Sequence, residues 1–497
     1  MNNFCLPLDY IARSETQLSN DPSPDNDLNR QNEVYEAANY FCRAARRSTF
    51  IGIGCDAQGL LSVRAGKKIG IDGRKAIEIC SAELPAEATW IEADLSKYDC
   101  ISLSQLADNR AVVVCADLIQ RLPDPTCLLI LLGECYRRGA IVITSTTDRV
   151  RSHGQGHRGP PPNASHVREW TLEEYAALLG RYGIPPLFSG YTLNNNHRQE
   201  LNTIVTLHDR TVVDRGIPHR RPLAIMSAFN EEDVIAEVMD DLVHQGCDVV
   251  AIDNWSTDAT WQIMKSCQEK HPGNVTLERF PADGGSNLYE WEKILRRKEE
   301  IAAAHAGRWI IHTDADEVRR SPFPGMTLSQ ALKLAEESGA NRVAFNLVDF
   351  RPVTDAPYRS GTLAEAFTHF EFGSKPAHYW QIKGWLQGSE RVDLAGSGGH
   401  AAKFDGAKDY PYRFLLRHYP IRSVAQGRKK VIEDRQKRWS PQERDRGWHK
   451  HYDGFGPASM FQWNPNELLR FDQDFWRDYG LPIMTDIAER RQLRKEP

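Results

Sequence analysis

Three stretches place acids where apolar strands should end. Residues 309–320 read WIIHTDADEVRR, so bulky apolar residues run straight into Asp314, Asp316 and Glu317. The run PLAIMSAFNEED closes on Asn230, Glu231 and Glu232, and CDVVAIDNWSTDAT closes on Asp253, Asn254, Ser256 and Asp258. In an open parallel sheet, ligands collect at the carboxyl ends of the strands, so these acids converge on one crevice. Bare carboxylates would repel one another there. They become tolerable when a divalent cation joins them, or when ribose and base donors use them as hydrogen-bond acceptors. In an extended Asp-x-Asp the two side chains point the same way. Asp314 and Asp316 are therefore expected to grip one Mg2+ or Mn2+, with Ala315 facing the core. Such a cation keeps positions open for phosphate oxygens and neutralises charge building on a departing diphosphate. Ser256 and Asp258 have a local alternative as caps of the following helix.

The elements that must carry these residues are legible from apolar periodicity. From about 222, strand-like and helix-like runs alternate: LAIMSA, a helix to about 245, VVAID, another helix, VTLERF, a long charged helix, then WIIHTD. An earlier alternation spans 33–208, where STFIGIG, KKIGID, ATWIEA, AVVVCAD and GAIVITS read as buried parallel strands and EVYEAANYFCRAAR and TLEEYAALLGRYG as amphipathic helices. The fold class is α/β, with two doubly wound domains. The expected boundaries are a flexible N-terminal segment over 1–32, the first domain over 33–208, a polar, proline-interrupted linker over 209–221, the second domain over 222–435 and a helical extension over 436–497.

The totals bound what else the chain does. With 497 residues, 41% hydrophobic, 26% charged and a net charge of -5, it has the balance of a globular protein and nothing that points to nucleic acid. The most apolar region, CLLILLGECYRRGAIVIT, carries Glu134, Arg137 and Arg138 in its middle, which argues against a membrane span. The N-terminus lacks the pattern of a secretory signal. The ten cysteines, eight of them between Cys5 and Cys135, contain no C-x-x-C pair and read as free thiols of a reducing compartment. A cytoplasmic protein is expected, at most peripheral to the inner membrane.

SAFNEED, AIDNWSTDAT and HTDADEV, in this order and spacing, resemble the GT-A-fold glycosyltransferases, most of all the family 2-like enzymes. The resemblance implies that Asn230 and Glu231 lie by the nucleotide and that Asp253 holds base or ribose, with the role of Asn254 open because the family often has a second acid there. It implies that Asp314 and Asp316 bind metal and diphosphate, that a late histidine, here His418, completes the metal's coordination, and that transfer inverts the sugar. Inversion needs a base. Asp349, Glu390, Asp393 and His400 follow the metal motif, and their position favours Glu390 or Asp393 without deciding between them. The basic cluster of Arg417, Arg422, Arg428, Lys429 and Lys430 either holds the diphosphate or forms a solvated helix face. Trp380 and Trp385 read as core more than as a sugar platform.

In the first domain, FIGIGCDAQG, KKIGIDGRK, ATWIEADL, AVVVCADLIQRLPDP and HVREWTLEEYAALLGRYG resemble class I S-adenosylmethionine-dependent methyltransferases. The resemblance implies a glycine turn at Gly52 and Gly54 beside the methionine moiety, Asp72 on the ribose and Asp94 near the adenine. The pattern departs at the turn itself: Gly52 stands where an acid is usual, and Asp56 where a glycine is. Gln120 and Arg121 replace Glu and His. S-adenosylmethionine is the cofactor this half would take, and a domain that only serves assembly or acceptor binding is the rival reading.

The expected function is metal-dependent, inverting transfer of a sugar from a nucleotide-sugar donor to a hydroxyl, on a glycan or lipid-linked acceptor of surface-glycan synthesis. The alternatives are a glycan methyltransferase whose second domain only binds sugar nucleotide, and a non-catalytic assembly protein.

Overall fold

The computed structural model describes residues 4–16, 31–73, 77, 88–194, 200–216, 219–356, 358, 363–373, 378–448 and 453–493. The chain forms two compact units, Met1–Val213 with Asp474–Ile487, and Asp214–Gln473 with Ala488–Pro497.

The first unit is built on β1 (Thr49–Ile53), β2 (Lys67–Asp72), β3 (Thr89–Glu92), β4 (Ala111–Ala116), β5 (Ile141–Thr147), β6 (Phe188–Thr192) and β7 (Thr203–His208). Their order is β3-β2-β1-β4-β5-β7-β6. The first five pair parallel, and β7 runs antiparallel between β5 and β6. The five expected strands are the five parallel ones, and every residue of β4 is buried, as a central strand covered on both faces must be. This is the Rossmann-like, methyltransferase-type fold the sequence resembles. Helix Asn32–Ala44 buries Val34, Ala37, Ala38 and Phe41 along one stripe, and helix Leu172–Arg181 begins with a Thr171–Glu174 capping box.

Both ends of this unit differ from expectation. Residues 4–16 are docked, which corrects the flexible reading for that part of 1–32. Phe4 C=O accepts from Trp170 Nε1 at 2.9 Å, Arg13 N–H donates to Val167 C=O at 2.9 Å, and Leu6 is buried. The apolar residues Phe4, Leu6 and Tyr10 anchor a stretch that is otherwise polar. Residues 17–30, the heart of that expected segment, lie outside the described residues. At the other end, helix Phe475–Met484 packs on β6, burying Leu481, Ile483 and Met484, and Asp478 pairs with Arg151 at 2.8 Å. The extension expected over 436–497 is thus divided, with 474–487 completing the first unit.

The second unit contains β8 (Leu223–Ala228), β9 (Asp248–Asp253), β10 (Val275–Arg279), β11 (Trp309–Asp314), β12 (Glu317–Arg320), β13 (Arg342–Phe350), β14 (His369–Phe372), β15 (Trp380–Leu386), β16 (Phe414–His418) and β17 (Leu469–Arg470). The order is β10-β9-β8-β11-β15-β13-β14-β17, with β12 paired to β16 and β16 also to β13. Strands β10, β9, β8 and β11 are parallel. Beyond β11 the sheet becomes mixed, since β15 runs antiparallel to both β11 and β13. The parallel half follows the sequence expectation, and the GT-A arrangement is observed.

Candidate active site

Register assembles the site. Asp314 closes β11 opposite Ser227 of β8, and Ser227 Oγ donates to Asp314 Oδ1 at 3.2 Å. Asp253 closes β9 opposite Ala228. A cavity of about 380 Å³ opens at these strand ends, lined among others by Glu231, Asn254, Asp314, Asp316 and His418. That is within the size range of small-ligand sites.

The acids are answered by basic side chains of the same unit. Asp314 lies 3.5 Å from Lys298 Nζ and 3.6 Å from Lys383 Nζ. Both lysines are buried. Lys298 also donates to His312 Nδ1 at 3.0 Å and to Thr313 C=O at 2.8 Å. Burial lowers the Lys298 ammonium to about 8, against the pull of Asp314. Burial also acts first on His312, and with Lys298 and Lys383 beside it the imidazole is held well below its ordinary value. Lys383 reaches Glu317 at 2.6 Å. Lys430 bridges Asp316, at 2.7 Å, and Glu231, at 2.9 Å. Arg422, fully buried, pairs with Glu231 and, at 2.7 Å, with Asp233.

Asp316 and His418 form a separate pair. His418 Nε2 is 3.9 Å from Asp316 Oδ2, and His418 Nδ1 is 2.7 Å from Asp349 Oδ1. Burial works against the charge of Asp349, but Arg351 and His418 bring its carboxyl down to about 2. Burial also opposes a charged His418, yet Asp349 and Asp316 raise its value. An imidazole fixed by a carboxylate on one nitrogen and turned toward a second carboxylate with the other suits one face of a divalent cation. Asp314 does not join this group, and among the described residues no three His, Cys, Asp or Glu side chains come together in a metal-ligating cluster. The expected grouping of Asp314, Asp316 and His418 is not seen as one cluster: Lys298 and Lys383 stand by Asp314, and Lys430 stands by Asp316 at 2.7 Å.

The other expected residues divide. Ala315 is buried as expected, but it lines the cavity. Glu231 and Asn254 line the cavity, whereas Asn230 and Asp253 do not. Asp253 is fully buried and turned toward Arg279, at 3.1 Å, and the Ser256 N–H, at 3.1 Å. Asn254 Nδ2 donates to Phe280 C=O at 2.9 Å, while its buried Oδ1 has no hydrogen-bond partner among the described residues. Asn230 Oδ1 accepts from Thr257 N–H at 2.8 Å and shapes the loop. Asp258 Oδ1 accepts from Thr260 N–H at 2.9 Å, a helix-start contact. Glu390 is exposed and Asp393 accepts from Gly396 N–H at 2.9 Å. Neither lines the cavity, so the two favoured bases are misplaced: both belong to the connection after β15 rather than to the sheet edge. Trp385 is fully buried core, and Trp380 sits against Arg413. Of the basic cluster, Lys430 reaches the cavity and Arg422 is locked in its ion pairs. Sequence reasoning missed Lys298, His312 and Lys383; charged or polar residues inside apolar strands and helix faces were the available signal. It also missed Trp291, Trp439 and Trp448, which line the cavity.

The glycine turn of the first unit is closely packed by its own side chains. Gly54, at φ +67, faces Leu118, whose Cδ2 lies 2.6 Å from where a Cβ would stand, and Gly52 faces the Cys55 sulfur. Asp56 caps the next helix. Asp94 is taken by Ser96 and by Lys97, at 3.1 Å. Asp72 accepts from Gly73 N–H at 2.7 Å, and burial raises its carboxyl above the usual range. Nine cysteines are free among the described residues, and Cys80 lies outside them.

A mixed α/β unit with acids at the ends of adjacent parallel strands is the architecture of nucleotide-dependent transferases. Residues 223–375 match the family model described as Glycosyl transferase family 2. The chain is 28% identical over 98 residues to the poly(ribitol-phosphate) beta-glucosyltransferase of Bacillus spizizenii, covering 19% of this chain and only 14% of that relative. Among solved structures, it resembles the mannosyltransferase PcManGT from Pyrobaculum calidifontis in complex with GDP-Man and Mn2+, with 22% identity, TM-score 0.20 and coverage of 28% of this chain and 37% of that one. It also resembles a complex between the Haloferax volcanii Trm112 methyltransferase activator and the putative methyltransferase, with 12% identity, TM-score 0.29 and coverage of 38% and 94%. The strand orders, not these scores, define the two folds. Among the described residues no helix is long and apolar enough to cross a membrane.

Proposed function

We propose that the second unit transfers a sugar from a nucleotide-sugar donor to a hydroxyl acceptor, with inversion. The observation that carries this reading is the cavity at the β8, β9 and β11 ends, lined by Glu231, Asn254, Asp314 and Asp316. Asn254 Oδ1 accepts from the base or ribose. Lys430 and Arg435, both lining the cavity, face the diphosphate. Asp316 and His418 would hold Mn2+ or Mg2+, which supplies charge neutralisation at the leaving diphosphate. Asp349 fixes the His418 ring for that role. On the acceptor side, the proton-accepting side chains at the wall are His378 and His400. The acceptor is a glycan or a lipid-linked sugar of surface-glycan synthesis, and the reaction runs in the cytoplasm. The first unit contributes its fold to assembly or acceptor binding.

A screen of nucleotide-sugar donors by release of nucleoside diphosphate tests this. The wild type is expected to turn over one donor class, and Asp316→Ala to lose nearly all turnover with unchanged circular dichroism. Equal turnover in Asp316→Ala would refute the assignment.

A further inference from the structure

We propose that Lys430 and a divalent cation are alternative partners of Asp316, and that Lys430, once displaced, pairs with the donor's diphosphate, so that metal and nucleotide bind cooperatively. The proposal deepens the transferase reading and rests on it for the diphosphate.

Lys430 stands where a cation would be held. Its Nζ lies 2.7 Å from Asp316 Oδ2 and 2.9 Å from Glu231 Oε1. The same Asp316 Oδ2 faces His418 Nε2 at 3.9 Å. A cation held by Asp316 and His418 would therefore meet the oxygen that Lys430 already holds. Both Asp316 and Lys430 are buried, so little water screens one positive charge from the other. The two cations exclude each other at that oxygen.

The two carboxylates depend on Lys430 unequally. Glu231 also pairs with Arg422, which is fully buried and is itself held by Asp233 at 2.7 Å. Glu231 thus keeps a partner when Lys430 departs. Asp316 would keep only the more distant His418 among the described residues. A buried carboxylate robbed of its partner is costly, so Lys430 leaves only as another cation replaces it.

The local backbone gives the freed ammonium a destination. Lys430 belongs to Arg428–Arg435, which winds as a π-helix, a rare form concentrated at functional sites. In this i→i+5 winding Lys430 and Arg435 stand one turn apart, and both line the cavity. Val431 packs with Ile421 and Phe461 and anchors the segment. A lysine carries its charge on a flexible stem, so Nζ can cross to the cavity without a backbone shift. There it joins Arg435 on a diphosphate. Linkage then works both ways: the cation frees Lys430 for the nucleotide, and the nucleotide keeps Lys430 away from Asp316.

The test uses the full chain, with Mn2+ binding read by electron paramagnetic resonance of the free ion and UDP and GDP binding read by calorimetry. Lys430→Met is expected to bind Mn2+ alone about tenfold more tightly than the wild type. Arg435→Met, which removes a cavity charge that does not pair with Asp316, should leave Mn2+ affinity near the wild-type value. Lys430→Met should also weaken UDP or GDP about tenfold in saturating Mn2+, and by much less without metal. Should Lys430→Met fail to fold, Lys430→Gln carries the test with the same expectations. Equal Mn2+ affinity in the wild type and the Lys430 variant overturns the proposal, as does an equal loss of nucleotide affinity with and without Mn2+, which would mark a lysine fixed on the phosphates. Failure of the wild type and both variants to bind Mn2+ overturns it together with the metal site. Failure of the wild type to release nucleoside diphosphate from any donor removes the transferase reading instead, and the Mn2+ comparison stands apart from that assay.

Discussion

Asp316 Oδ2 and His418 Nε2 face each other at 3.9 Å, brought together by strand register from distant parts of the chain. His418 stands opposite Glu317 in the antiparallel β12–β16 pair and beside Asp349 in the parallel β13–β16 pair. Glu317 directly follows Asp316, so one strand delivers the imidazole to the second aspartate and to the carboxylate that orients it. Asp349→Asn should leave the fold intact and raise the Mn2+ concentration needed for half-maximal donor hydrolysis by about tenfold to a hundredfold. A metal titration of turnover decides this. An unchanged half-point would mean that Asp349 orients nothing that holds the ion.

The β9 end separates two neighbours by task. Asp253 is fully buried with Arg279 and Ser256, while Asn254 presents an unpartnered Oδ1 at the cavity. Asn254→Ala is therefore expected to raise donor KM about tenfold with little change in melting temperature, through one lost hydrogen bond. Asp253→Ala should do the reverse, costing about 1–3 kcal/mol of stability by stranding the Ser256 N–H and Arg279. Thermal melts and KM values on the two variants decide it, and the opposite pattern would restore Asp253 as the nucleotide contact.

Acids closing apolar strands were legible because nothing in a strand's packing asks for them. WIIHTDAD and VVAIDN announce their positions through an abrupt change of residue type, and the parallel strands follow from the same apolar runs. Partners were not legible. Whether Asp314 meets a metal or Lys298 and Lys383 depends on which way a helix face and an antiparallel strand turn, and single-chain spacing carries no such information. Glu390 and Asp393 were misjudged for a related reason: order along the chain stood in for position, and the connection after β15 lines the cavity at residues 397–400 rather than at these two acids. Helix Phe475–Met484 reads as an appendage in sequence because its partner, β6, lies in the other half of the chain.

The glycine turn after β1 leads to a prediction about the first unit. A Cβ at Gly54 would stand 2.6 Å from Leu118 Cδ2, Asp56 replaces the usual glycine and caps the next helix, and Asp94 bonds Ser96. Calorimetry with S-adenosylmethionine and S-adenosylhomocysteine should show no saturable heat up to millimolar ligand. Saturable binding that Asp72→Ala abolishes would return the cofactor to this unit.

The first unit should also weaken in acid, through His208. This β7 residue is fully buried, with Nδ1 3.0 Å from Pro185 C=O and Nε2 2.8 Å from Thr206 Oγ1. Burial lowers its imidazole to about 4, against an ordinary 6.5. Between those values the unfolded chain binds a proton that the folded unit refuses. Stability from this group is therefore complete above pH 6.5 and is lost as pH falls toward 4, by about 3 kcal/mol. Hydrogen-exchange protection of the β7 amides, followed from pH 7 to pH 4 after correction for intrinsic exchange, should fall accordingly. In His208→Gln, a side chain without a titrating proton, the same amides should keep a nearly constant protection over that range. Equal acid sensitivity in the two proteins would place the titration elsewhere in the unit.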